Sequence, residues 1–444
     1  MLLTFALLIT VPLALSPIRT HMPLRHIAAI CLTVCALAAA AQEAPRNFAI
    51  DAQLRTRAEY DNGVYTPRAK HESAVIGAGE RTRLSLDYRQ DRMQLHAAAQ
   101  HTGMWGQGGL DGTAEQVTLS EAWARIAMGR HAFVQVGRQV LSYDDERLLG
   151  ASDWSQTGAS HDALRVGYEG GATRVHAILA QNRSREHTRM AYYAGAMPYK
   201  SMQALWLHHA FGSLPLHASL MAINLGREGG SVLAPHTRYM QTWGTHLGYN
   251  STDWDAHLAA YVQTGRNTLN VSTNAFMVSA GGTYRLNATT SLRASYDYMS
   301  GNDGRNINEH AFDPLYGTSH RFFGAMDYFR GRVECGLQDV HIGTTATVHR
   351  LTPEWQLALP VSVSLDYHYI LAAESYAGIS RGLGHEIDLQ FSCSPATDIT
   401  ISGGYSTMLG LRSLDAVCGG SHTSWQDWAW LQLNISPRLF FTQW

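Results

Sequence analysis

The chain has 444 residues, and its 34 Lys and Arg against 36 Asp and Glu leave a formal charge of −2, which excludes a nucleic-acid binder working by bulk electrostatics. Charged residues make up only 16%, apolar residues 45%, and mean hydropathy is −0.17, a balance that excludes disorder. Beyond the N-terminus no stretch reaches the ~18 consecutive apolar residues of a spanning helix, which leaves a large soluble β or α/β protein, or a membrane β-barrel with apolar residues at alternate positions.

The chain opens on an apolar run, Leu2 to Ile18, followed by a second methionine heading Met22-Pro23-Leu24-Arg25-His26. An apolar core from Ile27 to Ala40 then ends in small residues, the pattern of a secretory signal. Residues 1–41 read as an upstream extension plus signal peptide, with the true start at Met22, over the alternative of a retained anchor. Residues 42–444 read as a single exported domain. Cys31 and Cys35 lack the small preceding residue of a lipid-modified cysteine. Cys335, Cys393 and Cys418 are far apart and suggest neither a zinc site nor a disulfide framework.

From Arg46 onward period-2 alternation replaces any helical period. In Phe48–Tyr60 one parity is Phe48, Ile50, Ala52, Leu54, Thr56, Ala58, Tyr60, and the other carries Asp51, Gln53, Arg55, Arg57, Glu59. Successive side chains on a strand point to opposite faces, so one face is greasy and the other ionic. The pattern returns at Leu292–Tyr298, Val361–Tyr369 and Ile387–Cys393. Short connections such as Arg89–Arg92, Gly129–His131, Glu169–Gly171 and Pro395–Asp398 alternate with long polar ones: Asp61–Gly79, Gly103–Ala114, Ser142–Ser160, Asn182–Lys200, Gly226–Arg238, Ser300–Ser319 and Gly410–Thr423. Tight turns at one end and extended loops at the other are the habit of an outer-membrane barrel. The expected fold is all-β: an antiparallel transmembrane barrel of 18 strands, range 16–20, with a pair inside Val333–Leu359 left open. Tyr60, Tyr88, Tyr168, Tyr249 and Trp254 fall near strand ends, as interfacial girdles do.

The segment from Gly137-Arg138-Gln139 through Asp144-Asp145-Glu146-Arg147 and Asp153-Trp154 to Asp162 and Arg165 resembles the alginate-export family of bacterial outer-membrane porins. So do Ala311–Gly317 with Ser319–Arg321 and Gly324–Tyr328, and Leu383–Leu389. The resemblance implies an eighteen-stranded barrel in the Gram-negative outer membrane, loops folding toward the lumen, and passage of an anionic polysaccharide or another hydrophilic solute. Outer-membrane lipid is then an implied partner, and periplasmic secretion partners stay open.

If the apolar parity faces lipid, the other lines the pore. Early strands place Arg55, Arg57, Arg81, Arg83 and Arg125 there, and later ones Asp297, Asp327, Asp366, Glu386 and Asp388. Guanidinium forks bind carboxylates in a bidentate way, so the five arginines are candidate contacts for an acidic sugar. The equal alternative is that these charges pair and hold lumenal loops. The stretch Asp144–Arg147 with Asp153 and Trp154 suits a folded-in constriction or simple packing better than a Ca²⁺ site. His385-Glu386-Ile387-Asp388-Leu389 begins like a zinc-protease motif but lacks the second histidine and lies on a strand. No enzyme, cofactor or metal is expected, and no nucleic acid. The reading is a porin-like channel for passive passage of hydrophilic, anionic solutes; the alternatives are a barrel hydrolase acting on lipid or ester, and a closed structural or adhesive barrel.

Overall fold

The computed structural model describes residues 45–107, 117–182, 192–193, 198–349, 359–375 and 378–444. The expected leader at 1–41, with its start at Met22, lies outside the described residues, as do parts of the loops Gly103–Ala114 and Asn182–Lys200 and part of Val333–Leu359.

From Arg46 onward the chain is one compact unit built almost wholly of strands. In order these are β1(Arg46–Asn62), β2(Val75–Gln90), β3(Met93–Met104), β4(Val117–Met128), β5(Ala132–Gln139), β6(His161–Gly170), β7(Thr173–Gln181), β8(Ser201–Phe211), β9(Leu216–Glu228), β10(Thr237–Asn250), β11(Trp254–Arg266), β12(Ser272–Arg285), β13(Thr290–Met299), β14(Leu337–Val348), β15(Val361–Ala372), β16(Gly382–Ala396), β17(Ile399–Gly410) and β18, which runs as Gln426–Ile435 and then Arg438–Gln443. Each pairs antiparallel with the next. The last strand is interrupted because Pro437 has no N–H to give the ladder. Its first piece pairs with Leu54–Asn62 of β1 and its second with Asn47–Asp51. Since β1 also pairs with β2 along its length, the sheet closes as eighteen strands and no edge is left open.

The alternation points the way a lipid-facing wall requires. On β16 Leu389 is 46% exposed while Glu386 and Asp388 are buried, and on β15 Leu365 is exposed while His368 is buried. A soluble protein would orient these the other way. Among the described residues no helix is long and apolar enough to cross a membrane. The outward tyrosines Tyr239 and Tyr249 bracket β10. Ten residues at ~3.4 Å, tilted by ~40°, give roughly 26 Å, close to the ~25 Å apolar band of such barrels.

Most turns at the end carrying the chain termini are tight, as at Asp91-Arg92 and Thr397-Asp398, although Val348 to Val361 is a longer link. At the other end three connections matter: the β5–β6 loop (140–160), the β13–β14 loop (300–336) and the β17–β18 loop (411–425), which holds the short helix α1(Arg412–Cys418). Two expectations are corrected here. Within Val333–Leu359 β14 stands where a pair was left open, so the upper count of twenty fails. The loop expected to end at Ser319 runs on to Gly336 and carries Asp327, which the parity reading places on a late strand. Its backbone visits the left-handed region at Phe323, Gly324 and again at Asp327, which a regular strand does not tolerate. Apolar residues of these loops, among them Leu141, Leu149, Phe312 and Met326, pack with Met202, Ile223 and Met277 of the wall into a core inside the barrel.

Candidate functional site

The β5–β6 loop turns into the barrel, and its backbone is strained to do so. Asp144, Glu146 and Ser152 have φ of 53°, 67° and 47°, at a cost of order 1 kcal/mol or more each. Side chains of the wall hold it there. The Asp144 carboxylate accepts from Trp206 Nε1 at 3.0 Å and Ser219 Oγ at 2.7 Å. Arg147 bridges Asp145 at 2.8 Å and the buried Asp297 of β13 at 2.7 Å, with its guanidinium 4.0 Å above the Phe322 ring. At the tip Arg55 donates to the carbonyls of Asp153 at 2.6 Å and Ser155 at 2.8 Å and to Gln156 Oε1 at 2.9 Å. Arg57 donates to the Trp154 carbonyl at 3.0 Å and lies 4.1 Å from the indole centroid. Arg81 reaches the Asp153 carboxylate at 2.8 Å. Arg55, Arg57 and Arg81 are buried beneath the loop. Of the five arginines expected to touch a solute, these three already face loop oxygens. The clustered loop carboxylates diverge to separate partners, unlike a calcium cage.

The β13–β14 loop folds in from the opposite wall and is held by the acidic arc. Glu386 Oε1 accepts the Met326 N–H at 2.6 Å. Gly324, at φ 88°, passes so close that a Cβ would lie 2.3 Å from Glu386 Oε2, which is why this position is glycine. Asp327 pairs with His320 at 2.9 Å, and the His320 ring stacks on Trp154 at 4.0 Å between centroids. Glu386, Asp388 and Asp327 thus sit under or on this loop rather than on open pore wall.

The two loops are also tied to each other. Leu149 and Tyr316 form a parallel bridge, in which Tyr316 N donates to the Leu148 carbonyl and Gly150 N to that of Tyr316, both at 3.0 Å. Thr318 donates its N–H to the Glu146 carbonyl at 2.9 Å and its hydroxyl to Glu146 Oε2 at 2.6 Å. Ser142 Oγ donates to the other carboxylate oxygen at 2.6 Å. Burial would raise the Glu146 carboxyl, but the hydrogen bonds from Ser142, Thr318 and the Ala151 amide, with Arg321 nearby, outweigh it and hold the group below its ordinary range.

The joined loops leave a cavity of about 760 Å³ between themselves and the wall from β9 to β16. Cross-strand partners form one row along that wall: His217, Gly248, His257, Gly281, Ser295, His341, His368 and Glu386. A Cβ at Gly248 would fall 2.2 Å from the His217 ring, so the glycine makes room for an imidazole. His341 and His368 stack at 4.4 Å, and each pairs at 2.7 Å with a carboxylate, Asp366 and Asp339 respectively. Arg293 grips Asp366 with two bonds, at 2.8 and 2.7 Å. Of the arginines lining the cavity, Arg147, Arg293 and Arg321, the last is the most exposed, its side chain 56% accessible and 3.5 Å from Glu146. Sequence reasoning did not find the histidine row. Its signal, a histidine at the inward parity of successive strands, becomes readable only once the register is known.

The remaining candidates are dispersed. Arg83 is half-buried and donates to Gln100 Oε1, while Arg125 pairs with Glu169 at 2.7 Å and lies 3.6 Å over the Phe133 ring. Arg165 donates to Gln135 Oε1 at 2.8 Å. Arg138 and Asp162 make a two-bond pair at 2.8 and 2.9 Å on the outward parity, away from the lumen.

Comparison with known proteins agrees with this architecture. No curated relative matches the chain. Among solved structures, OccK9 (OpdG) of Pseudomonas aeruginosa is similar, with 12% identity, 88% of this chain and 98% of that one covered, and a TM-score of 0.63. OccK1 (OpdK) of the same organism gives 12%, 89% and 99%, with a TM-score of 0.60. A BenF-like porin of Pseudomonas fluorescens Pf-5 gives 12%, 88% and 99%, also with 0.60. At this identity they show the fold alone, which is that of outer-membrane porins. The profile of a family described as alginate export matches residues 44–363, well over half of the sequence, and the chain belongs to that family.

Proposed function

We propose that the barrel passively conducts hydrophilic solutes, anionic ones among them, and that Arg321 is the group that meets the negative charge. The observation carrying this is the lumenal cavity, whose most exposed guanidinium is Arg321, Arg55, Arg57 and Arg81 of β1 and β2 being taken up by the β5–β6 loop. The imidazoles, Ser295 and Thr283 on its wall suit a polyhydroxylated solute. A small anionic solute fits the cavity with both loops seated, whereas a polysaccharide passes only if the bridge between Leu149 and Tyr316 opens. That bridge is also the observation in favour of a closed structural barrel. Export by a cleaved leader within residues 1–41 and insertion into outer-membrane lipid belong to the same reading.

Swelling of proteoliposomes in neutral monosaccharides and in uronates separates these readings. A conducting barrel swells in both, and Arg321→Ala selectively slows uronate entry by several-fold. A folded barrel that swells in neither solute contradicts the channel.

A further inference from the structure

The imidazoles that line the lumenal cavity divide by what they face. His320, His341 and His368 each pair with a carboxylate, that of Asp327, Asp366 and Asp339 in turn, at 2.9, 2.7 and 2.7 Å. His217, His246 and His257 have no carboxylate partner among the described residues. His257 Nε2 meets the Ser279 hydroxyl at 3.2 Å, and Nδ1 of His246, a residue only 7% exposed, has no hydrogen-bond partner.

The wall is built to hold these three. They sit at the inward parity of β9, β10 and β11, in the half of the barrel nearer the tight turns and so below the joined loops. Their ring centroids follow one another at 6.0 and 6.3 Å, with the His246 and His257 planes within 3° of parallel. Gly248 leaves the space that the His217 ring takes, and a Cβ at Gly281 would lie 2.6 Å from His257 Cε1. His208 of β8 extends the row, 5.3 Å from His217.

The acids near the row are engaged elsewhere. Asp144, which faces His208 and His217 together with Arg174, accepts from Trp206 and Ser219. Asp145 and Asp297, which face His257, are both held by Arg147. Asp255 at the foot of β11 is held by Arg285, and β12 brings only Ser279 and Gly281 to the row. Around the cavity as a whole six carboxylates stand against three guanidiniums, so its lining is acidic while the imidazoles are neutral. Imidazole is the side chain whose charge changes between about pH 5 and 8. The unmatched rings therefore gain positive charge as pH falls, one after another because neighbouring like charges repel.

Resting on the reading of the cavity as a path for anionic solutes, we propose that His217, His246 and His257 form a second station for a solute carboxylate, below Arg321. The station takes the anion when protonated, since each imidazolium donates from both nitrogens. Neutral rings hold only the hydroxyl-bearing part of the solute.

Swelling of proteoliposomes in galacturonate and in galactose, at about pH 7.5 and about pH 5.5, tests this, because the uronate is ionised at both. Both values also lie above the range in which Glu146 titrates. The ratio of galacturonate to galactose entry should rise several-fold at the lower pH in the native protein. It should stay flat in His217→Gln/His246→Gln/His257→Gln, whose amides hydrogen-bond without charge, and the single variant His257→Gln should lose part of the rise. Galactose entry and heat-modifiable gel migration verify that each barrel is folded and open. A native ratio indifferent to pH, or a rise that persists in the triple variant, overturns the inference and leaves the channel standing. A folded barrel closed to both sugars overturns the channel and this inference with it.

Discussion

At the scale of single residues, the lumenal charges are structural before they are functional. Arg147 and Asp297 are both buried, so removing one partner leaves an uncompensated ion. Arg147→Ala is expected to weaken seating of the β5–β6 loop by about 3–5 kcal/mol, and adding Asp297→Asn to recover part of it, as a double-mutant cycle on loop protection in hydrogen exchange would show. Glu146 makes the latch acid-sensitive. Its carboxyl sits below the ordinary 4.5 in the folded protein, so its contribution is complete above that value and is lost as pH falls through the lower, folded one. Loop opening, read as channel noise, should rise below about pH 4.5 in the native protein. In Glu146→Gln that dependence should vanish, and persistence of the transition there would place the sensitivity elsewhere. Glu146 and Arg147 lie on a loop and have no parity to read, but that the strand charges Arg55, Arg57, Arg81 and Asp297 face inward was legible from theirs. Their partners were not, because Arg55 and Asp153 are brought together only by a loop that doubles back across the barrel.

At the scale of elements, alternation carried most of the fold. The parity of Val361–Tyr369 and Ile387–Cys393 gives the lipid face directly. Leu365→Lys is expected to cost about 2–4 kcal/mol in lipid, while the inward Gln390→Lys should be near neutral. Denaturant unfolding from vesicles distinguishes them, and equal costs would contradict the assigned faces. The β13–β14 loop was misjudged beyond Ser319 for a physical reason. Phe322–Tyr328 is apolar like a strand, yet its apolar groups pack into the lumenal core and its backbone bends at Gly324 to meet Glu386. The histidine row escaped notice because it runs across strands, in a direction the sequence does not record.

At the scale of the whole molecule, eighteen strands close a wall and two loops from opposite sides meet inside it. Together they leave a lumenal cavity whose most exposed arginine, among the described residues, lies on a loop. Closure was foreseeable from the alternation of short and long connections, whereas the meeting of the loops depends on Leu149 and Tyr316, far apart in sequence. If the joined loops set the bore, Trp154→Ala, which removes the stacking on His320 and the seat of Arg57, should raise conductance at least about twofold, against about 1–2 kcal/mol of lost stacking and cation–π attraction. The most direct test of the central claim is single-channel conductance of the refolded barrel, with reversal potential measured under a salt gradient for the native protein and for Arg321→Ala. Open channels whose anion preference falls on neutralising Arg321 are the predicted result, and a folded barrel that stays electrically silent would contradict the account.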